Sequence, residues 1–139
     1  MTSRRGTLIE DGARELLQVH GYTVRVLPVG FNKRLPPAHL VASRGPDETR
    51  CIKIRKISHL SLTVDIVQGK YHLDIVQFRK HLARHAGEPG LRCEIWIYTL
   101  YYGFRCFEIQ KDIVREIPKP GTDNLPVLPE SPVPSGGSA

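Results

Sequence analysis

The chain is poor in cysteine, has one methionine and one tryptophan, and contains no long apolar run. Its three cysteines, Cys51, Cys93 and Cys106, are odd in number and lack C-x-x-C spacing. That excludes a disulfide scaffold and points to a reduced compartment. No stretch approaches the ~18 apolar residues of a membrane-crossing helix, and Glu10, Asp11, Arg14 and Glu15 interrupt any hydrophobic leader. A soluble, cytoplasmic protein is the expectation. Acidic residues are also scarce: 14 Asp and Glu against 20 Lys and Arg leave a formal net charge of +6. This balance favours polyanionic partners, nucleic acid first, and says nothing about fold. Wholesale disorder and a collagen-like chain are excluded by an ordinary composition, 40% apolar and 24% charged.

A length of 139 residues suits one domain, or one domain and a tail. The composition changes at Pro118: from there to Ala139 lie six of the eleven prolines, three glycines and no aromatic residue. Such a segment has too little apolar surface to offset its ordering entropy, so a flexible Pro/Gly/Ser-rich tail is expected over 118–139. Its charges are Lys119, Asp123 and Glu130, which leaves +7 on the domain, 1–117.

Within the domain, Ile9, Ala13, Leu16, Leu17 and His20 form one helical stripe, so a helix is expected over Thr7–His20. Thr7-Leu8-Ile9-Glu10 fits a capping box, and Gly21 fits a stop. Tyr22–Leu27 alternates as a strand. Ala38–Ser43 and Arg50–Ile57 read as two more strands, joined through the turn chemistry of Arg44–Thr49. Alternation puts Ile52 and Ile54 on one face of the second, and Cys51, Lys53, Arg55 and Ile57 on the other. A second helix is expected over Tyr71–Ala86, with Tyr71, Ile75, Phe78, Leu82 and Ala86 on its apolar stripe. Arg92–Thr99 and Phe104–Ile109 read as strands, and Asp112–Ile117 as a short terminal helix. The order α-β-β-β-α-β-β gives an α/β domain with a mixed sheet flanked by helices.

Several strings fall in a recognisable order. Glu10 stands eleven residues before Gly21-Tyr22; Val24-Arg25-Val26 follows, then His39-Leu40-Val41-Ala42, Lys53-Ile54-Arg55, and Gly103-Phe104-Arg105-Cys106-Phe107-Glu108-Ile109. Together they resemble the archaeal Holliday-junction resolvases of the restriction-endonuclease-like, PD-(D/E)xK, nuclease superfamily, from about Arg4 to Ile117. The resemblance implies a restriction-endonuclease-like fold, a homodimer, and a branched DNA substrate. It also implies a divalent-metal centre made of an acidic strand residue, a glutamate on the next strand and a helix glutamate, beside a lysine that orients water. At those positions this chain keeps Glu10 but has His39 and Lys53 for the strand carboxylates and Arg55 for the lysine. Hard Mg²⁺ wants oxygen ligands, so the resemblance implies the fold while the residues argue for a degenerate, catalytically inactive site.

Each signal has alternatives. Glu10 is a helix cap, or pairs with Lys53 or Arg55. Lys53 and Arg55 form a phosphate clamp in place of metal, or an internal ion pair. His39 is a hydrogen-bonded histidine, or a soft-metal ligand with Glu10 or Cys51. His81 and His85 read as a solvent-facing pair rather than a metal site. Arg25, Lys33, Arg34, Arg44, Arg50, Arg79, Lys80 and Arg84 form a nucleic-acid groove with Lys53 and Arg55, or ordinary basic surface. Trp96, Tyr98, Tyr101, Tyr102 and Phe104 serve base stacking, a dimer patch, or the core.

The leading expectation is a nucleic-acid-binding protein, DNA first, without metal-dependent cleavage and without a cofactor. One alternative is an active endonuclease that uses Mg²⁺ through relocated carboxylates from Asp47, Glu48, Asp65 or Asp74. The other is a protein-interaction or assembly subunit that docks through the Pro-rich tail.

Overall fold

The computed structural model describes residues 5–28, 35–57, 62–100 and 102–121, and the side chains from residue 8 onward within them. Lys33, Arg34 and Tyr101, and the tail from 122 to 139, lie outside the described residues. The elements are α1 (Arg5–Val19), β1 (Thr23–Val26), β2 (Leu40–Ser43), β3 (Thr49–Ile57), α2 (Val64–Lys70), α3 (His72–Arg84), β4 (Leu91–Thr99), β5 (Gly103–Ile109) and β6 (Val114–Ile117).

The six strands form one sheet in the order of the chain, β1-β2-β3-β4-β5-β6. Every neighbouring pair is antiparallel except β3 and β4, which run parallel. Parallel neighbours need a crossover, and the α2–α3 segment supplies it. Alternation in β3 sends its side chains to two separate cores. Ile52 and Ile54 meet Ala13 and Leu17 of α1, together with Trp96, Phe104 and Cys106. Cys51 and Ile57 meet Val67 of α2 and Ile75 and Phe78 of α3, together with Ile95, Ile97 and Phe107. One helix therefore covers one face and two helices cover part of the other, so the central strands are buried on both sides.

Three elements differ from the sequence pattern. The helix expected from Tyr71 begins at His72, and the separate helix α2 precedes it, capped by the Thr63 hydroxyl, which accepts from the Ile66 N–H at 3.2 Å. The expected terminal helix is strand β6, whose Val114 and Ile117 are buried because they pair with Ile109 and Cys106 of β5. The first helix starts at Arg5, so Thr7 sits inside it rather than at its cap. Gly90 seats the start of β4 on the β2–β3 turn: its φ is +72°, its carbonyl accepts from the Thr49 N–H at 3.0 Å, and a Cβ there would lie 1.6 Å from the Asp47 carbonyl oxygen.

Candidate nucleic-acid interface

Strand alternation places Lys53 and Arg55 side by side on the face of the sheet that carries α3. In the first turn of α3, Asp74 meets both. The Arg55 guanidinium donates to both oxygens of Asp74, Nε to Oδ2 at 2.8 Å and Nη2 to Oδ1 at 2.7 Å. Lys53 Nζ lies 3.2 Å from Oδ1 and donates to Gln77 Oε1 at 3.1 Å. Burial pushes the Asp74 carboxyl up, but the hydrogen bonds and charge of Arg55 and then Lys53 win and hold it below its ordinary range. The carboxylate lies deepest, with its side chain 8% exposed against 14% for Lys53 and 36% for Arg55. Tyr71 packs beside them with a buried hydroxyl that has no hydrogen-bond partner among the described residues; burial raises it, and Arg55 and Asp74 are the charges that act on it.

His39 completes the cluster from the start of β2, opposite Lys53 across the β2–β3 ladder. Its Nδ1 accepts the Ile54 N–H at 2.8 Å, so that nitrogen carries no proton and Nε2 does. Burial, then the charges of Arg55 and Lys53, lower it to about 4.

The structure thus brings His39, Lys53 and Arg55 together and leaves Glu10 out. Among the described residues the Glu10 carboxylate makes no ion pair or hydrogen bond, and the charge that acts on it is that of Asp11; burial first, then Asp11, raises it. The pairing of Glu10 with Lys53 or Arg55 is therefore replaced by Asp74, because α1 packs on the opposite face, over Ile52 and Ile54. The His39–Cys51 pairing does not form either: Cys51 is buried in the core across from Cys93, its register partner.

A divalent metal of the kind the resemblance implies does not fit these residues. Both oxygens of the one carboxylate in the cluster are taken by cations, Nδ1 of His39 is taken by a backbone N–H, and an ammonium stands within the ligand sphere. Asp47 and Glu48 lie at the β2–β3 turn, where Glu48 accepts from Tyr22 Oη and Arg44 Nε, and Asp65 is exposed in the first turn of α2. Among the described residues no group of three or more His, Cys, Asp or Glu side chains is placed to hold a metal ion.

The expected basic groove is divided. Arg25 shares the sheet face of Lys53 and Arg55, through the register Arg25–Val41 and Val41–Cys51, and it is exposed. Helices α2 and α3 pack chiefly on β4, β5 and β6, while Arg25, on the edge strand β1, stays exposed. Along α3, Lys80 and Arg84 follow Gln77 at three- and seven-residue spacings and are exposed, extending the same edge. Arg79 points elsewhere: its Nε donates to the Gln110 carbonyl at 2.9 Å. Arg44 and Arg50 flank the Tyr22 ring, 4.5 and 5.1 Å from its centroid, on the α1 side.

Arg50 also belongs to a buried network unrelated to the cluster. Its Nη1 donates to Glu94 Oε1 at 3.3 Å, and Trp96 Nε1 donates to the same oxygen at 2.8 Å. Trp96 and Phe104 are thus core residues, while Tyr98 is exposed and Tyr102 half-buried. His81 is buried against His85, with ring centroids 4.4 Å apart, rather than solvent-facing.

Asp74, Gln77 and Tyr71 are the site residues that the sequence pattern missed in their roles. The available signal is that Asp74 lies one residue before Ile75 and four before Phe78, inside the arc of the apolar stripe where a lone carboxylate needs a partner.

No protein-family model matches the chain, and no curated protein matches it. Among solved structures it is similar to Archaeoglobus fulgidus Hjc, a Holliday junction resolvase from an archaeal hyperthermophile, at 14% identity and a TM-score of 0.53, over 80% of this chain and 86% of that chain. Likeness at that identity speaks to architecture. With its mixed six-stranded sheet and flanking helices, the chain has the restriction-endonuclease-like α/β fold.

Proposed function

We propose that this protein binds nucleic acid, DNA first, through phosphate contacts on the face that carries Arg25, Lys53, Arg55, Lys80 and Arg84, and that it does so without metal-dependent cleavage. The observation that carries the reading is the cluster of two cations on one carboxylate: Lys53 and Arg55 both engage Asp74, where hydrolysis through Mg²⁺ needs free carboxylate oxygens. With His39 neutral, the cluster sums to +1 and offers donors rather than metal ligands. The exposed cations around it supply affinity without reading sequence. The solved resolvase of like fold is consistent with a branched DNA ligand; that ligand, and the homodimer that the sequence resemblance implies, belong to the proposal.

Fluorescence anisotropy with labelled duplex, four-way junction and single strand at low salt tests the binding. Binding that weakens steeply with salt and has little sequence preference is expected; no binding to any of the three sinks the reading. Incubation of the same junction with Mg²⁺ or Mn²⁺ tests the second part. Uncut strands are expected, and cleavage abolished by Glu10→Gln would establish the active-endonuclease alternative instead.

A further inference from the structure

We infer that Asp74 occupies the seat of a phosphate group on the Lys53–Arg55 pair, so that phosphate binds here in competition with the protein's own carboxylate. The inference rests on the reading of this cluster as a phosphate site. An arginine fork binds a carboxylate and a phosphate by the same pair of parallel N–H donors, and Arg55 holds Asp74 in that way, with Nε and Nη2 on separate oxygens. Lys53 Nζ adds a point charge to one of those oxygens.

Asp74 is an incomplete occupant. Its two oxygens are spent on Arg55 and Lys53, and the buried Tyr71 hydroxyl beside them has no hydrogen-bond partner among the described residues. An unmade bond to a buried hydroxyl is costly, and a phosphate has enough acceptor oxygens to take the Arg55 fork, Lys53 and the hydroxyl together. His39 lies close enough to feel Arg55, Lys53 and Asp74 and, being neutral, adds no charge that would hold Asp74 in place. Gln77 Oε1 already accepts from Lys53 and keeps the ammonium on this side. The guanidinium is the most open member of the group and the carboxylate the deepest, so an incoming anion meets Arg55 first.

The test compares the wild-type chain with Asp74→Asn and with the double variant Asp74→Asn/Arg55→Gln. Each is titrated with inorganic phosphate by calorimetry and with a labelled duplex by anisotropy, and a thermal melt of each checks the fold. Asp74→Asn removes the competing charge but keeps the shape, so phosphate affinity is expected to rise by roughly tenfold, and the double variant to lose that gain. The wild-type chain gives a second readout: the Asp74 carboxyl carbon, followed by NMR against pH, should titrate at higher pH in saturating phosphate, because Arg55 has left it. A rise for phosphate and duplex together supports the seat and the nucleic-acid reading. A rise for phosphate in a chain that never binds duplex keeps the seat for a free phosphate and ends the nucleic-acid reading. Normal duplex binding by the wild type, with no gain for either ligand in folded Asp74→Asn and no movement of the Asp74 titration, overturns the competition and leaves Asp74 a structural partner of Arg55.

Discussion

His39, the residue before β2, holds the backbone of β3: its Nδ1 accepts the Ile54 N–H at 2.8 Å, which only the unprotonated nitrogen can do. Burial, then Arg55 and Lys53, lower the group to about 4, against about 6.5 for a free histidine. Between those values the unfolded chain binds a proton that the folded chain refuses. The contribution of His39 is therefore complete above the unfolded value and is lost as pH falls toward 4. An NMR titration of the imidazole should find its midpoint near pH 4. Unfolding experiments between pH 7 and pH 4 should show the wild type losing more stability than His39→Asn, since other groups titrate in both; equal losses would remove His39 as the cause.

Glu94 presents the opposite risk, a carboxylate with no exposed surface. Burial raises it, against the pull of Arg50 and Arg92 and the Trp96 hydrogen bond. Replacing it with alanine takes the nearer carboxylate from Arg50, itself about nine-tenths buried, and leaves that arginine its 3.6 Å contact to Glu48. The expected loss in urea unfolding is about 3–5 kcal/mol, and Glu94→Ala/Arg50→Met should recover part of it, because removing both charges costs less than removing one.

These two residues show how far the sequence could be read. Period-2 alternation was enough to separate Ile52 and Ile54 from Lys53 and Arg55, and the two cores keep that separation. The same alternation places Glu94 on the face of Trp96, and there the Trp96 Nε1–H donates to Glu94 Oε1. Pairing across distance was not legible. Asp74 is 19 residues from Arg55, and nothing linear marks it as that arginine's partner rather than a carboxylate on a solvated helix face. Strand β6 was hidden for a local reason: Val114 and Ile117 are three residues apart, which suits a helix, and only the ladder to β5 overrides that spacing.

Gly90 offers a test of how β4 is seated. The position combines a φ of +72° with backbone 1.6 Å from where a Cβ would stand, so neither a rotamer change nor a side-chain shift relieves the clash. Gly90→Ala should cost at least about 2 kcal/mol, read as a fall in the urea midpoint with unchanged slope. Gly45→Ala is the control: its φ is also positive, at +73°, but nothing lies within 4 Å of the added methyl, so its cost should be clearly smaller.

The divided basic surface gives the sharpest test of the interface. Arg25, Lys80 and Arg84 are exposed around the Lys53–Arg55 cluster, and neutralising any of them leaves no buried charge behind. For each of Arg25→Gln, Lys80→Gln and Arg84→Gln that meets a phosphate, the slope of log K against log salt for duplex binding should fall by about one, with the melting temperature unchanged. Arg79→Gln should do the reverse. Its guanidinium is spent on the Gln110 carbonyl, so the salt slope should hold while stability drops by about 1 kcal/mol. If Arg79→Gln lowers the salt slope and the other three do not, the nucleic acid lies along the β5–β6 side of α3 and the interface has been drawn on the wrong edge of that helix.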